Sequence, residues 1–122
     1  MATVTEIPKT WRADVCDILD FHRDRIDVSL RAVEYWDALF PNSSVGGYNF
    51  QLYARMSEAL KVDGVVGTKI PRIGNDIGEI WEFRFAVDDK NLYGKISLRL
   101  MNKHGMKSVF IYSAHLEEKP YL

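Results

Sequence analysis

Arg84, Lys95 and Arg99 occupy polar positions in two neighbouring segments, 79–87 and 92–101. The alternate positions of those segments are Trp81, Phe83, Phe85 and Val87, then Ile96, Leu98 and Leu100. In an extended chain residues two apart share a face, so the apolar sets point one way and the three cations the other. Such a face is either the solvated side of a half-buried sheet or a surface for something anionic. His115 adds a group that takes or gives a proton near neutral pH, and Tyr93 adds a phenol. Cleavage of RNA without a metal needs a base for the 2′-hydroxyl, an acid for the leaving 5′-oxygen and cations for the charged phosphorane. Lys, Arg, His and Tyr supply all three.

Other chemistries find little to work with. His22, His104 and His115 lie far apart, and no His or Cys pair has ligand spacing, so no metal site or cofactor is expected. Cys16 reads as a small core residue, and as the single cysteine it excludes an internal disulfide. Asp88-Asp89 and Glu117-Glu118 sit at a turn and near the terminus, where solvation explains them. The stretch DGVVGTKIPRIG has glycines and a lysine without the spacing of a phosphate loop.

Elements must position these residues. The run TWRADVCDIL (10–19) alternates Trp11, Ala13 and Val15 with polar residues and reads as a first strand. Asp27 reads as an N-cap for a helix over 28–40, with Leu30, Val33, Trp36 and Phe40 at helical spacing before Pro41. A second helix is expected over 48–62, carrying Leu52, Met56, Ala59 and Leu60. Residues 63–78, with four glycines and a proline, read as a long loop, which in a small domain suggests function. Strands over 79–87, 92–101 and 107–115, joined by DDKN and NKHG, should form an antiparallel meander. The predicted order is β-α-α-β-β-β, an α+β domain with the meander packed on two helices.

Size and charge agree with one domain over 1–122, 47% hydrophobic and 12% aromatic. No apolar run is long enough for a membrane span, and neither a secretory leader nor a second cysteine stands in the sequence, which suits a reducing cytoplasm. The formal charge of −1 opposes a protein coated in positive charge. It is distributed unevenly, however: 90–107 holds five Lys/Arg and no acid.

The runs IPRIGNDIGEIWEFRF, LYGKISLRL and VFIYSAHLEEK together resemble the C-terminal half of RelE/ParE-type toxins, especially their HigB-like branch. There, a loop with Lys and Gly leads into a strand reading roughly Leu-Trp-Glu-Leu-Arg, then a Tyr-Arg strand, then an apolar strand ending near His and Lys. TWRADV resembles the first strand of that branch, and the middle of the chain matches as helices of suitable length. The resemblance implies a cytoplasmic toxin of a type II toxin-antitoxin system: a metal-independent endoribonuclease that cleaves mRNA, in many members on the ribosome. Its partner would be a cognate antitoxin protein. Arg84 would hold the phosphate, with Lys95, Tyr93 and His115 completing the catalytic set and Lys69, Arg72, Arg99 and Lys119 binding RNA. Gly94 stands where an arginine is expected and Lys95 comes one residue late, which turns the lysine to the other face unless a bulge intervenes. The acidic pair before Lys119 also departs from the basic tail of relatives. Both departures suit an alternative, a non-catalytic module of the same fold that binds an antitoxin or, as in ParE-like relatives, a topoisomerase. A third reading is an unrelated α+β protein whose Arg84 faces solvent.

Overall fold

The computed structural model describes residues 3–40, 48–100 and 105–116. Its elements run β1 (Val4–Glu6), α1 (Lys9–Phe21), β2 (Ile26–Val28), α2 (Leu30–Leu39), α3 (Tyr48–Leu60), β3 (Val66–Ile70), β4 (Glu79–Val87), β5 (Lys90–Leu100) and β6 (Lys107–Leu116). This is an α+β fold built on one six-stranded sheet in the order β1-β3-β4-β5-β6-β2. Strands β4, β5 and β6 form the expected antiparallel meander, and β2 joins the far edge parallel to β6.

Two expectations are corrected at the N-terminal side. Residues 10–19 are not a strand but lie within α1. The buried set is Trp11, Arg12, Val15, Cys16, Ile18 and Leu19, a helical stripe, while Ala13 faces solvent. Pro8, which has no amide hydrogen to donate, precedes the first turn. Among the described residues there are therefore three α-helices rather than two. The long loop is also shorter than expected, because β3 pairs within it with β4 and β1.

Arg12 explains how α1 finds its place. Its guanidinium donates to the carbonyls of Ile7, Leu60 and Val62 at 3.1, 3.0 and 3.3 Å. Two of those oxygens lie at or just past the C-terminus of α3, where helix carbonyls lack internal partners. A buried cation thus ties the start of one helix to the end of another. Trp11 donates through its indole to the Glu79 carbonyl at 2.9 Å and fixes the same helix to the start of β4.

The cap of α2 is Ser29, not Asp27, which belongs to β2. Ser29 Oγ accepts from the Ala32 amide at 3.1 Å and donates to the Tyr112 carbonyl at 2.8 Å. One hydroxyl caps the helix and anchors it to β6.

The apolar sets are buried as period two requires except at the end of β5, where Leu98 is half-buried and Leu100 is exposed. Trp81, Phe83, Phe85 and Val87 of β4 are buried, as are Leu92 and Ile96 of β5, in one core with Leu52, Met56 and Leu60 of α3. Register from Glu79↔Leu98 to Val87↔Lys90 is unbroken. Gly94 is therefore a core position, directly across from Phe83. A Cβ there would stand 2.8 Å from Met56 Cε, 3.1 Å from Phe83 Cζ and 3.2 Å from Phe85 Cε1. An arginine has no room at this position. Lys95 follows on the opposite, open face without any bulge between β4 and β5.

Among the described residues no helix is long and apolar enough to cross a membrane. The expected turn over 102–105 lies mostly outside the described residues, as do Lys119, the acidic pair 117–118 and His104.

Gly94→Ala should destabilise the fold by about 1–3 kcal/mol through overpacking beneath α3. Denaturant unfolding should show a clearly smaller cost in a Met56→Ala background, because the nearest obstructing atom is then gone. An equal cost in both backgrounds would contradict the packing account.

Candidate functional site on the open face of the sheet

Cross-strand partners share a face, so register assigns every side chain of the sheet to the helix side or the open side. On the open side, Arg84 pairs with Tyr93, and Tyr93 pairs with His115. The next row holds Thr68, Glu82, Lys95 and Ser113. Four candidates, Arg84, Tyr93, Lys95 and His115, therefore lie together on two adjacent rows.

His115 reaches this face only because β6 carries an extra residue. Lys95 pairs with Ser113 but Ile96 pairs with Ile111, which leaves Tyr112 as a bulge. Burial along β6 shows the same step: Val109 and Ile111 are buried two apart, and the next buried residue is Ala114. Without the bulge, alternation would put Ala114 on the open face and His115 in the core. The carbonyl of Tyr112 is the one Ser29 Oγ satisfies.

The Arg84 guanidinium donates to Tyr93 Oη at 3.2 Å and lies 5.5 Å from the centre of its ring. Since Arg84 can only donate, the phenol accepts there and keeps its own hydrogen to give elsewhere. Tyr93 and His115 rings lie 5.9 Å apart. His115 Nδ1 is 3.0 Å from the Leu116 carbonyl, which can only accept. Neutral His115 is therefore the Nδ1–H tautomer, with its lone pair on Nε2. Arg84 also lines a groove of about 560 Å³ beside α3, with the ion-paired Arg55 and Glu58, and this groove contains neither Tyr93, Lys95 nor His115. The arrangement offers one cation, one proton donor and one proton acceptor in sequence along a cross-strand row.

Arg99 shares the face but serves a different purpose. The segment between β3 and β4 folds back over the sheet, and Asp76, with a side chain only 4% exposed, meets Arg99 there. Asp76 Oδ2 accepts from Arg99 Nη2 at 2.7 Å and from Tyr112 Oη at 2.6 Å, and Oδ1 accepts from the Gly78 amide at 2.8 Å. Arg99 also donates to Tyr112 Oη at 3.0 Å and lies over the Phe110 ring at 4.5 Å. Gly78 is required at the end of the segment, since a Cβ would sit 2.4 Å from Ser97 Oγ and 2.6 Å from the Leu98 carbonyl. The charge of Arg99 is thus balanced by a buried carboxylate. The bulged Tyr112 joins both structures, its carbonyl to α2 and its hydroxyl to this clamp.

Lys69 lies elsewhere. It pairs with Trp81, so its side chain is on the helix side of the sheet, opposite to Arg84. With Arg72, whose guanidinium donates to the Gly74 carbonyl, it lines a separate groove of about 390 Å³ that contains neither Arg84, Lys95 nor His115. Lys69 and Arg72 thus line a groove apart from the row that holds Arg84, Tyr93 and His115. Sequence reading missed Asp76 and Tyr112. The one available signal was the length of the segment after β3, which marked it as purposeful without naming Asp76.

Among the described residues no group of three or more His, Cys, Asp or Glu side chains is gathered closely enough to hold a metal ion. No protein-family model matches the chain, and neither a curated protein nor a solved structure matches it.

Burial by itself would raise the Asp76 carboxyl, but the hydrogen bonds from Arg99, Tyr112 and the Gly78 amide outweigh it and hold the group well below its ordinary 3.8. The folded state therefore binds this proton less readily than the unfolded chain does. Its stabilisation is complete above the ordinary carboxylate range and is lost as pH falls through 3.8 toward the folded value. Asp76→Asn should cost about 1–3 kcal/mol at pH 7, less than a fully buried pair because Arg99 is partly exposed. Denaturation from pH 7 down to about pH 2 should show the gap between variant and wild type closing. A gap independent of pH would contradict the clamp.

Proposed function

We propose that the open face binds the phosphodiester backbone of RNA at Arg84 and cleaves it, as the toxin of a toxin-antitoxin pair. The row Arg84–Tyr93–His115 carries this reading, because it sets a phosphate-binding cation beside a proton donor and a proton acceptor. In the reaction, the 2′-oxygen forms a bond to phosphorus as the bond to the 5′-oxygen breaks. His115 Nε2 takes the 2′-hydroxyl proton, and the Tyr93 hydroxyl gives its proton to the departing 5′-oxygen. Arg84 offsets the charge that builds on the non-bridging oxygens, and Lys95, one row away, adds a second positive charge. Messenger RNA, free or on the ribosome, is the substrate this reading names. A cognate antitoxin in the cytoplasm is the protein that would cover the face.

Charge pairing favours a second reading. Glu82 lies directly across from Lys95, and Asp76 neutralises Arg99. A face with matched signs fits a protein partner, whether an antitoxin or a topoisomerase, better than it fits a long polyanion.

Purified protein incubated with RNA, alone and with translating ribosomes, separates the two. Cleavage is expected, leaving a 2′,3′-cyclic phosphate and a 5′-hydroxyl. Arg84→Ala should lower the rate on the order of 10²–10³, and His115→Ala on the order of 10²–10⁴, with the fold unchanged. Intact RNA in both settings would overturn the nuclease reading and leave the binding module, and full activity in Arg84→Ala would overturn the placing of the phosphate at Arg84.

A further inference from the structure

His115 has a second aromatic neighbour, supplied from outside the sheet. Tyr35 on α2 forms a T-shaped pair with the imidazole, with ring centroids 6.2 Å apart and planes at 81°. Tyr93 meets the same ring at 46°. The bond from Nδ1 to the Leu116 carbonyl is local, to the next residue in the chain. Alone it restrains the ring weakly, since rotation about the terminal side-chain torsion, which is soft, exchanges the carbonyl for water. Two rings approaching at different angles limit that rotation.

The placement of Tyr35 is not independent of the strand it serves. Ser29 caps α2 and bonds the bulge carbonyl of Tyr112, and the Ser29 amide donates to the Ile111 carbonyl at 2.9 Å. The residue that fixes where α2 begins is thus held to the same bulge that turns His115 outward. Tyr35 lies about a turn and a half further along the helix.

We propose that Tyr35 is a positioning residue for His115: its ring, packed at right angles to the imidazole, keeps Nδ1 on the Leu116 carbonyl and so reserves Nε2 for the proton. The kinetic consequence rests on the ribonuclease reading, but the tautomer consequence does not. Packing of this kind lowers a rate without weakening binding, because it acts on how often the base is correctly oriented.

Nitrogen-15 NMR of the histidine ring separates protonated from bare nitrogens. Wild type should show the His115 Nδ1–H form when neutral. Tyr35→Ala should show a mixture of tautomers, and Tyr35→Phe should restore the single form. If Tyr35→Ala unfolds, Tyr35→Leu, which keeps bulk without an aromatic ring, is read in the same way. On an RNA substrate, Tyr35→Ala should lower kcat about tenfold with KM unchanged, and Tyr35→Phe should recover it. A wild-type tautomer in the Ala or Leu variant would overturn the positioning role, whatever the reaction. A tautomer mixture in Tyr35→Ala, with no RNA cleavage by wild type, would support the role and overturn the ribonuclease reading instead.

Discussion

The bulge at Tyr112 is the constraint on which the candidate site depends. Strand β6 has to bury Val109, Ile111 and Ala114 and also present His115 beside Tyr93, and strict alternation cannot do both. One inserted residue reverses the parity between Ile111 and Ala114. An inserted residue leaves a carbonyl without a ladder partner, and leaving such a group unpaired costs about 1–3 kcal/mol. Ser29 supplies the missing donor. The same serine caps α2, so the helix that carries Tyr35 is held in register with the strand that carries His115. Below the sheet, Gly94 yields its volume to Met56, Phe83 and Phe85, which lets α3 lie close to β5. Core and site are thus two sides of one set of register decisions.

Along β5 the open face divides into a structural end and an accessible end. Near Arg99, a buried carboxylate, a tyrosine hydroxyl and a tight glycine hold the segment after β3 against the sheet. The positive charge there is consumed in holding the fold together. Lys95 is four residues away, about 13 Å along an extended strand. Beyond it, Arg84, Tyr93 and His115 lie where a ligand can approach. Among the described residues of this face, an anion would meet Arg84, Lys95 and His115 rather than a continuous basic surface. Such a site suits gripping one phosphate in a defined geometry rather than coating a nucleic acid.

Much of the C-terminal half was legible because alternation is a local property. The bounds of β4 are those read from Glu79 to Val87, and the sharing of one face by Arg84, Lys95 and Arg99 follows from counting by two. The N-terminal half misled for a physical reason. Trp11, Ala13 and Val15 alternate as a strand would, and only the fuller set through Leu19 has helical spacing. Lys69 could not be placed because β3 is five residues long and includes a glycine, leaving too little pattern to assign its parity. Asp76 lies in an irregular segment, so nothing local indicates that it will meet Arg99, 23 residues later. The bulge is hardest of all to read. It is stabilised by Ser29, 83 residues before Tyr112, and it lies on β6 across from Lys95 and Ile96, while the ladder from Gly94-Lys95 to β4 is continuous.

The most direct measurement is the footprint of a single-stranded RNA on the protein. Titration with a 2′-O-methyl oligonucleotide, which binds but cannot be cleaved by attack of the 2′-oxygen, can be followed residue by residue by NMR. The account predicts shifts centred on Arg84, Tyr93, Lys95 and His115, with affinity that falls as salt rises. Shifts centred on Lys69 and the helix side, or none at RNA concentrations well above those in a cell, would contradict it.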